Sequence, residues 1–343
     1  MASINPKLEF FRFKLNPRQE EFKTFRDFAI DELKGKTSFT DDKIMKSLFT
    51  HFIKSLDGNY SKDDKMKKQI KLEKRSAINK YLINQPKYLS ESNVLLGVIN
   101  GGSYGRHRII GDITNPEEGS QLGKNKTVLQ YYYFLLYLPL DHNEGCFVIH
   151  SNGKEETITN IFRSFISHLF KGTKYNKVVV ESFCPKSFQD EFRKGAIIQT
   201  IEFKDSKVDN THTANGTSDI VGKYNIRIEV SPENKNISIT AFDKLKSTFA
   251  SYIFGKEKLH KKLHDFDEAK VVTKNPVDNS TRTFEWNTKD KDFVPVVYLD
   301  GRIAKQNDDG TPDFDELEKL CKNYFNDEVL PELRPDLNVS KAK

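Results

Sequence analysis

Residues 127–150 read TVLQYYYFLLYLPLDHNEGCFVIH, and this stretch determines the kind of fold that the chain adopts. Apolar and aromatic residues run almost without interruption from Thr127 to Leu138, which predicts a strand buried in a sheet. Residues 139–145 contain Pro, Asp, Asn and Gly, which favour a turn. The apolar run from Cys146 to His150 then predicts a second strand that pairs back on the first.

A helix is predicted directly after this strand pair, over residues 155–171. Its apolar residues recur three and four positions apart, which places them on one face of the helix. They are Ile158, Ile161, Phe162, Phe165, Ile166 and Leu169. Strands followed by an amphipathic helix indicate an α+β fold, with helices packed on mixed or antiparallel sheets.

The first quarter of the chain predicts one strand and two helices. Residues 8–15 place Phe11, Phe13 and Leu15 at period two, as in a strand with one buried face. Asn16 and Pro17 have the residue types of a helix cap and a first helical residue. The buried face of that helix would comprise Phe22, Phe25, Phe28 and Ala29, and a second helix would run from about residue 40 to 58.

The segment 93–126 predicts a β-hairpin followed by a loop. Asn100-Gly101-Gly102-Ser103 stands between the apolar runs 94–99 and 104–113, and Asn-Gly between such runs is a strong turn signal. The polar residues 114–126 predict the loop. The glycines do not indicate a phosphate loop, because no Gly-Lys-Ser/Thr and no Gly-x-Gly-x-x-Gly sequence accompanies them.

Residues 204–222 predict a second loop, because they are rich in Thr, Asn, Ser, Asp and Gly. Beyond them the pattern predicts a hairpin, a helix over 243–264, short strands and a final helix over 312–326. We therefore predict three modules. They are a basic strand-plus-helices module at 1–90, a mixed α/β sheet module at 91–210 and a hairpin-rich α+β module at 211–343.

The net charge of +6 is unevenly distributed along the chain. Residues 1–90 contain 20 Lys/Arg and 12 Asp/Glu, which gives +8, whereas the remainder contains 35 and 37, which gives −2. A local excess of positive charge attracts polyanions, of which nucleic acid is the common one. Lysines on a solvated helix face would give the same counts without any partner.

The basic residues concentrate around the polar stretch 57–69, which predicts a loop that leads into a basic helix or a basic arm. We predict contact with the phosphate backbone of DNA or RNA without readout of bases. The predicted nucleic-acid-binding residues are Lys65, Lys67, Lys68, Lys71, Lys74 and Arg75, together with Arg106 and Arg108 on the returning strand of the hairpin.

Several function classes are disfavoured by composition. No apolar run approaches the roughly 18 residues of a spanning helix, and no signal sequence stands at the start, so we expect a cytoplasmic protein without a membrane partner. Three cysteines, none in a Cys-x-x-Cys pair, indicate no disulfide framework and no zinc ribbon. The high content of Lys, Asn and Ile suggests a low-GC genome. A chain of this size without a metabolic motif is then expected to be a bacterial antiviral-defence or mobile-element component.

An enzymatic alternative comes from Asp141 to His168. Two strands and a helix that carry His142, Asn160 and His168 resemble the ββα-metal finger of metal-dependent nucleases. The resemblance covers about 30 residues, and it implies that His142 activates water while Asn160 and His168 hold Mg²⁺ or Zn²⁺. Outside this alternative no cofactor is expected, and whether the chain is an enzyme stays open.

A third hypothesis is a protein-interaction or assembly subunit without enzymatic activity. The aromatic strand 131–137 would then form an interface with a second copy or with another protein. The three hypotheses differ in what they require of the structure: an exposed basic surface, a convergent metal site or an exposed aromatic strand.

Overall fold

The computed structural model places sixteen strands and six α-helices among the residues that it describes. Those residues are 6–19, 21–56, 61–65, 67–72, 85–105, 107–111, 114–115, 119–152, 157–183, 185–186, 197–210, 221–231, 268–274, 281–286, 293–295, 297–299, 302–306 and 311–339. The strands are β1 Lys7–Lys14, β2 Ser61–Asp63, β3 Lys68–Lys71, β4 Lys87–Leu89, β5 Val94–Ser103, β6 Arg108–Gly111, β7 Gly119–Leu122, β8 Gln130–Tyr137, β9 Glu144–Ser151, β10 Val180–Phe183, β11 Ile197–Asn210, β12 Val221–Val230, β13 Glu268–Lys274, β14 Thr281–Trp286, β15 Phe293–Pro295 and β16 Val297–Tyr298. The helices are α1 Phe25–Glu32, α2 Asp41–Leu56, α3 Thr159–Leu169, α4 Phe314–Tyr324, α5 Leu330–Leu333 and α6 Pro335–Val339, with a π-helical turn at Phe325–Val329 between α4 and α5.

The chain divides into two compact units. The first comprises residues 1–183 and 298–343, and the second comprises residues 184–297. These bounds differ from the three predicted modules because strand pairing crosses the predicted boundary at residue 90. β1 pairs with β9 and β3 pairs with β5, so the predicted modules 1–90 and 91–210 share one sheet.

The first unit is built on an antiparallel sheet with the strand order β10-β1-β9-β8-β5-β3-β2, in which β4 also pairs with β5. The predicted strand pair lies at its centre, where Phe134 on β8 faces Ile149 on β9. Sheet and helices together confirm the predicted α+β fold class.

One face of this sheet carries α1, α2 and α3 over the main hydrophobic core. The predicted face of α3 is buried there, from Ile158 to Leu169. Phe162 lies against Phe147 with ring centroids 5.2 Å apart, and against Phe134 at 5.7 Å. The helical period places Phe162 on the buried face of α3, and the strand period places Phe134 and Phe147 on the facing side of the sheet. These side chains therefore pack in one aromatic layer.

The C-terminal segment covers the opposite face of the same sheet. Tyr137 packs on Phe325 at 5.0 Å and Tyr131 on Phe314 at 6.4 Å. Arg334 secures the end of this segment through two bonds of 2.8 Å to the two carboxylate oxygens of Asp141.

The predicted aromatic interface at 131–137 is therefore not a free surface. β8 is paired on both edges, with β5 and β9, and it is covered on both faces. Residues 132–138 are buried within the unit. The surface that the interaction hypothesis requires is therefore buried within the unit. The near-continuous apolar run belongs to a central strand that is covered on both faces, and not to an exposed strand.

The predicted hairpin turn at Asn100-Gly101 is wrong. β5 continues as one strand through Ser103, and it pairs with β8 along one edge. The glycines serve close packing instead, because a Cβ at Gly101 would lie 2.5 Å from Cγ2 of Ile158. The hairpin forms later, between β6 and β7, inside the segment that was predicted to be partly loop.

Replacing Gly97 with Ala should lower the free energy of unfolding by about 1–3 kcal/mol, the usual cost of a strained backbone conformation. Gly97 has φ +145°, and a Cβ there would meet the Cα of Pro86 at 2.5 Å. Urea denaturation measures the change. Gly123→Ala is the matched control, because a Cβ at Gly123 meets no atom within 4 Å. Equal stability of both variants would contradict the strained geometry of β5.

The first helix begins later than predicted. Thr24, and not Asn16, caps α1, through a capping box in which its side chain and that of Asp27 each bond to the other's backbone N–H. Pro17 instead forms a bridge with Tyr175. Phe22 consequently lies before the helix and is 66% exposed, so its predicted place in the buried face is wrong.

The basic stretch that follows α2 is neither a helix nor an arm where the structure describes it. β2 and β3 pair as a short hairpin, with Ser61 opposite Ile70, and β3 extends the large sheet beside β5. The predicted loop 57–69 therefore contains strand residues. Residues 73–84, which include the predicted binding residues Lys74 and Arg75, lie outside the described part of the chain.

The second unit contains an antiparallel sheet with the order β12-β11-β13-β14-β15. β11 extends to Asn210 and pairs with β12 as far as Val221. Residues 204–210 and 221–222 of the predicted loop 204–222 are thus strand, and residues 211–220 lie outside the described part of the chain. The predicted boundary at 210 falls within a strand pair. The predicted helix at 243–264 lies outside the described residues.

Candidate nucleic-acid interface

Two lysine-bearing turns lie side by side at one end of the large sheet. Lys62, Lys65 and Lys67 belong to β2 and the turn that leads into β3, whereas Lys124 and Lys126 follow β7. All five are exposed. We call this group the basic corner.

The two turns are held together by the backbone that follows β5. The N–H of Tyr104 donates to the carbonyl of Lys67 at 2.9 Å, and the N–H of Gly105 donates to the carbonyl of Lys124 at 2.9 Å. Lys67 and Gly105 both have positive φ, of 53° and 86°. Two consecutive amides thus fix two turns that are 57 positions apart in the sequence.

Tyr104 also anchors the corner through its side chain. Its hydroxyl donates to a carboxylate oxygen of Asp64 at 2.7 Å, and Nζ of Lys67 lies 5.7 Å from the centre of its ring. The hydrogen bond to Asp64 raises the pKa of Tyr104 to about 12. The ring is therefore a neutral, fixed support at neutral pH.

The charge of the basic corner is only partly compensated. Asp63 accepts from the N–H of Lys65 at 2.9 Å, which is a turn-forming contact, and Asp64 lies 3.9 Å from Nζ of Lys67. Five lysines and two carboxylates leave an excess of +3. Because exposed ion pairs at such distances are weak, the lysines stay available to a mobile anion.

Two of the predicted binding lysines belong to the sheet and not to the basic corner. Lys68 donates its Nζ to the carbonyl of Thr157, and burial lowers its pKa. Lys71 is half-buried on β3. Of the other predicted residues, Lys74, Arg75 and Arg106 lie outside the described part of the chain, and for Arg108 only the backbone, in β6, is described.

The residues of the predicted nuclease site are not brought together. His142 lies in the turn before β9, where its Nδ1 accepts from the N–H of Glu144 at 3.1 Å. Asn160 and His168 lie eight residues apart on α3, which separates them by about 12 Å along the axis and about 80° around it. Nδ1 of His168 bonds to the carbonyl of Ser164 at 2.8 Å.

Side chains so far apart on one helix cannot close on a single ion, so Mg²⁺ or Zn²⁺ has no centre at these three residues. Among the residues that the structure describes, no group of three or more His, Cys, Asp or Glu side chains could hold a metal ion. In the same part of the chain, no helix has both the length and the apolar character needed to cross a membrane.

The predicted binding residues did not include Lys62, Lys124 and Lys126 of the basic corner. Charge was counted along the chain, which could not show that Lys124 and Lys126 lie beside the first turn. Lys124 and Lys126 stand in the polar segment 114–126, which predicts a loop. Residues 119–122 of that segment form β7 instead, and the two lysines follow this strand. Only the pairing of Gly105 with Lys124 brings them to the first turn, and no local signal predicts that contact.

No family model matches this chain, and neither the curated proteins nor the solved structures contain a match.

Proposed function

We propose that the chain binds the phosphate backbone of nucleic acid through the basic corner, without reading bases. The observation that carries the proposal is the pair of backbone hydrogen bonds from Tyr104 and Gly105 that holds two exposed lysine turns at one place. Exposed ammonium groups carried on turns whose backbone is fixed suit phosphate contact, which is ionic and independent of sequence.

A cytoplasmic location forms part of the same proposal. Cys146 and Cys321 are buried free thiols, a state that a reducing compartment preserves. The antiviral-defence or mobile-element setting stays a prediction, on which no contact in the structure bears. The nuclease hypothesis gains no support from the separated positions of Asn160 and His168.

A salt titration of binding tests the proposal. Fluorescence anisotropy with labelled random duplex and single-stranded DNA and RNA should show binding at low salt, with log K falling linearly against log salt concentration. A variant with Lys62, Lys65, Lys67, Lys124 and Lys126 changed to Gln should bind more weakly. For duplex DNA its slope should be shallower by about 0.9 for each lysine that contacts a phosphate.

The matched control removes five exposed lysines elsewhere in the same unit. Changing Lys14, Lys36, Lys43, Lys46 and Lys54 to Gln alters the net charge equally and leaves the corner intact. This control should retain most of the affinity. Undetectable binding of the natural chain at low salt, or an equal loss in both variants, would overturn the proposal.

A further inference from the structure

A second feature, away from the basic corner, lies beneath the C-terminal segment. In the part of the chain that the structure describes, the buried side-chain nitrogen and oxygen atoms without a hydrogen-bond partner belong to three residues. They are the hydroxyl of Tyr133, both ring nitrogens of His150 and Oδ1 of Asn152. Tyr133 and His150 are 0% exposed, and Asn152 is 3% exposed.

These three residues form one group, which we call the buried polar patch. Phe134 faces Ile149 in the antiparallel pair β8–β9, so the next pair of residues sets Tyr133 opposite His150. Nδ2 of Asn152 bonds to the carbonyl of Tyr131 at 3.4 Å, which continues the same register. Directly opposite residues on one face have Cβ atoms about 5 Å apart.

The C-terminal segment closes this patch from above. The ring of Phe314, the first residue of α4, lies 6.5 Å from the ring of His150. The charged groups of α4 nearest to Tyr133 include Glu318, whose carboxylate is held by Lys322 at 2.7 Å and by Lys87 at 3.0 Å. No charged side chain of the described residues bonds to the patch itself.

The hydrogen-bond donors and acceptors of the buried polar patch determine which kind of molecule could bind there. A neutral imidazole presents one donor and one acceptor, a tyrosine hydroxyl presents both, and an amide oxygen accepts. Folded proteins pair the large majority of such buried side-chain groups, with protein or with ordered water. A charged occupant would require burial of an unpaired charge, which is strongly unfavourable.

We propose that the buried polar patch is an internal binding site for a small neutral molecule that both donates and accepts hydrogen bonds. Water and a small hydroxyl- or amide-bearing solute are two sources of this chemistry. The occupant bridges Tyr133, His150 and Asn152, and it thereby joins two central strands beneath α4.

The sign of one stability change tests this proposal. If an occupant satisfies the hydroxyl of Tyr133, Tyr133→Phe removes a hydrogen bond, and the midpoint temperature of unfolding should fall by about 2–4 °C. If the hydroxyl is unpaired, the same change removes an unsatisfied buried group and the midpoint should rise. A rise would overturn the proposal.

Tyr175→Phe is the matched control, because Tyr175 is also fully buried and its hydroxyl donates to Asp31 at 3.1 Å. This variant calibrates the loss of a known hydrogen bond from a buried tyrosine. Scanning calorimetry of the full chain measures both. A similar fall in the two variants supports an occupied patch.

A high-resolution crystal structure of the full chain, together with native mass spectrometry, distinguishes the two sources. Separate round density peaks within hydrogen-bonding distance of Tyr133 and His150, with no added mass, identify water. Continuous density with a mass that is lost on denaturation identifies a solute. A patch without density, whose polar atoms stay unpaired, would overturn the proposal.

Discussion

Replacing Phe162 with Ala should lower the free energy of unfolding by about 3–5 kcal/mol, the cost of deleting a large buried aromatic side chain and leaving a cavity. Phe162 is 0% exposed, and its ring contacts those of Phe134, Phe147 and Phe165 at centroid distances of 5.7, 5.2 and 6.0 Å. These contacts join α3 to both central strands. Urea denaturation followed by circular dichroism measures the change.

Phe22→Ala is the control for this prediction, because it makes the same chemical change at a phenylalanine that is 66% exposed. Its effect should stay within about 0.5 kcal/mol, as is usual for surface substitutions. Comparable losses in the two variants would show that the core is not centred on α3.

Acidification should destabilise the folded chain from about pH 6.5 downward, through His150. Burial lowers the pKa of His150 from 6.5 to about 3. Below pH 6.5 the unfolded chain therefore binds a proton that the folded chain does not, and stability falls as pH falls. The loss approaches about 1.4 kcal/mol per pH unit and ends near pH 3. Urea denaturation at a series of pH values measures the slope.

His150→Leu should flatten this pH dependence between about pH 6.5 and 4.5, above the range in which Asp and Glu titrate. His168→Gln is the control, because it removes an imidazole from an exposed position on α3 and leaves His150 in place. Asp141 and Glu318 contribute only at lower pH, since their partners lower the pKa of both carboxyl groups. A slope that persists in His150→Leu would contradict the neutral, buried histidine.

The elements that the sequence predicted correctly are those whose pattern is set by burial. The alternation in β1, the apolar runs of β8 and β9 and the helical period of α3 all report which side chains enter the core. The Asn-Gly prediction failed for the opposite reason. Local turn preference at Asn100 was overridden by pairing of β5 with β8, a contact between distant segments.

The candidate site was predictable only in part, because it also depends on contacts between segments that are distant in the sequence. Charge asymmetry pointed to the region of Lys65 and Lys67, and both are exposed in the basic corner. Sequence could not show that Lys68, the next residue, turns its ammonium group to the carbonyl of Thr157. Nor could it place Lys124 beside them, because that depends on the backbone after β5.

The division of the first unit into two chain segments has a consequence for its synthesis on the ribosome. β1 is made first, yet its neighbours β9 and β10 come more than 130 residues later, and the cover over Tyr133 and His150 comes from residues 311–339. Contacts of such long range form slowly. The second unit is continuous and can fold earlier, so we expect β1 and the aromatic face of β8 to depend on chaperones until the last helices emerge.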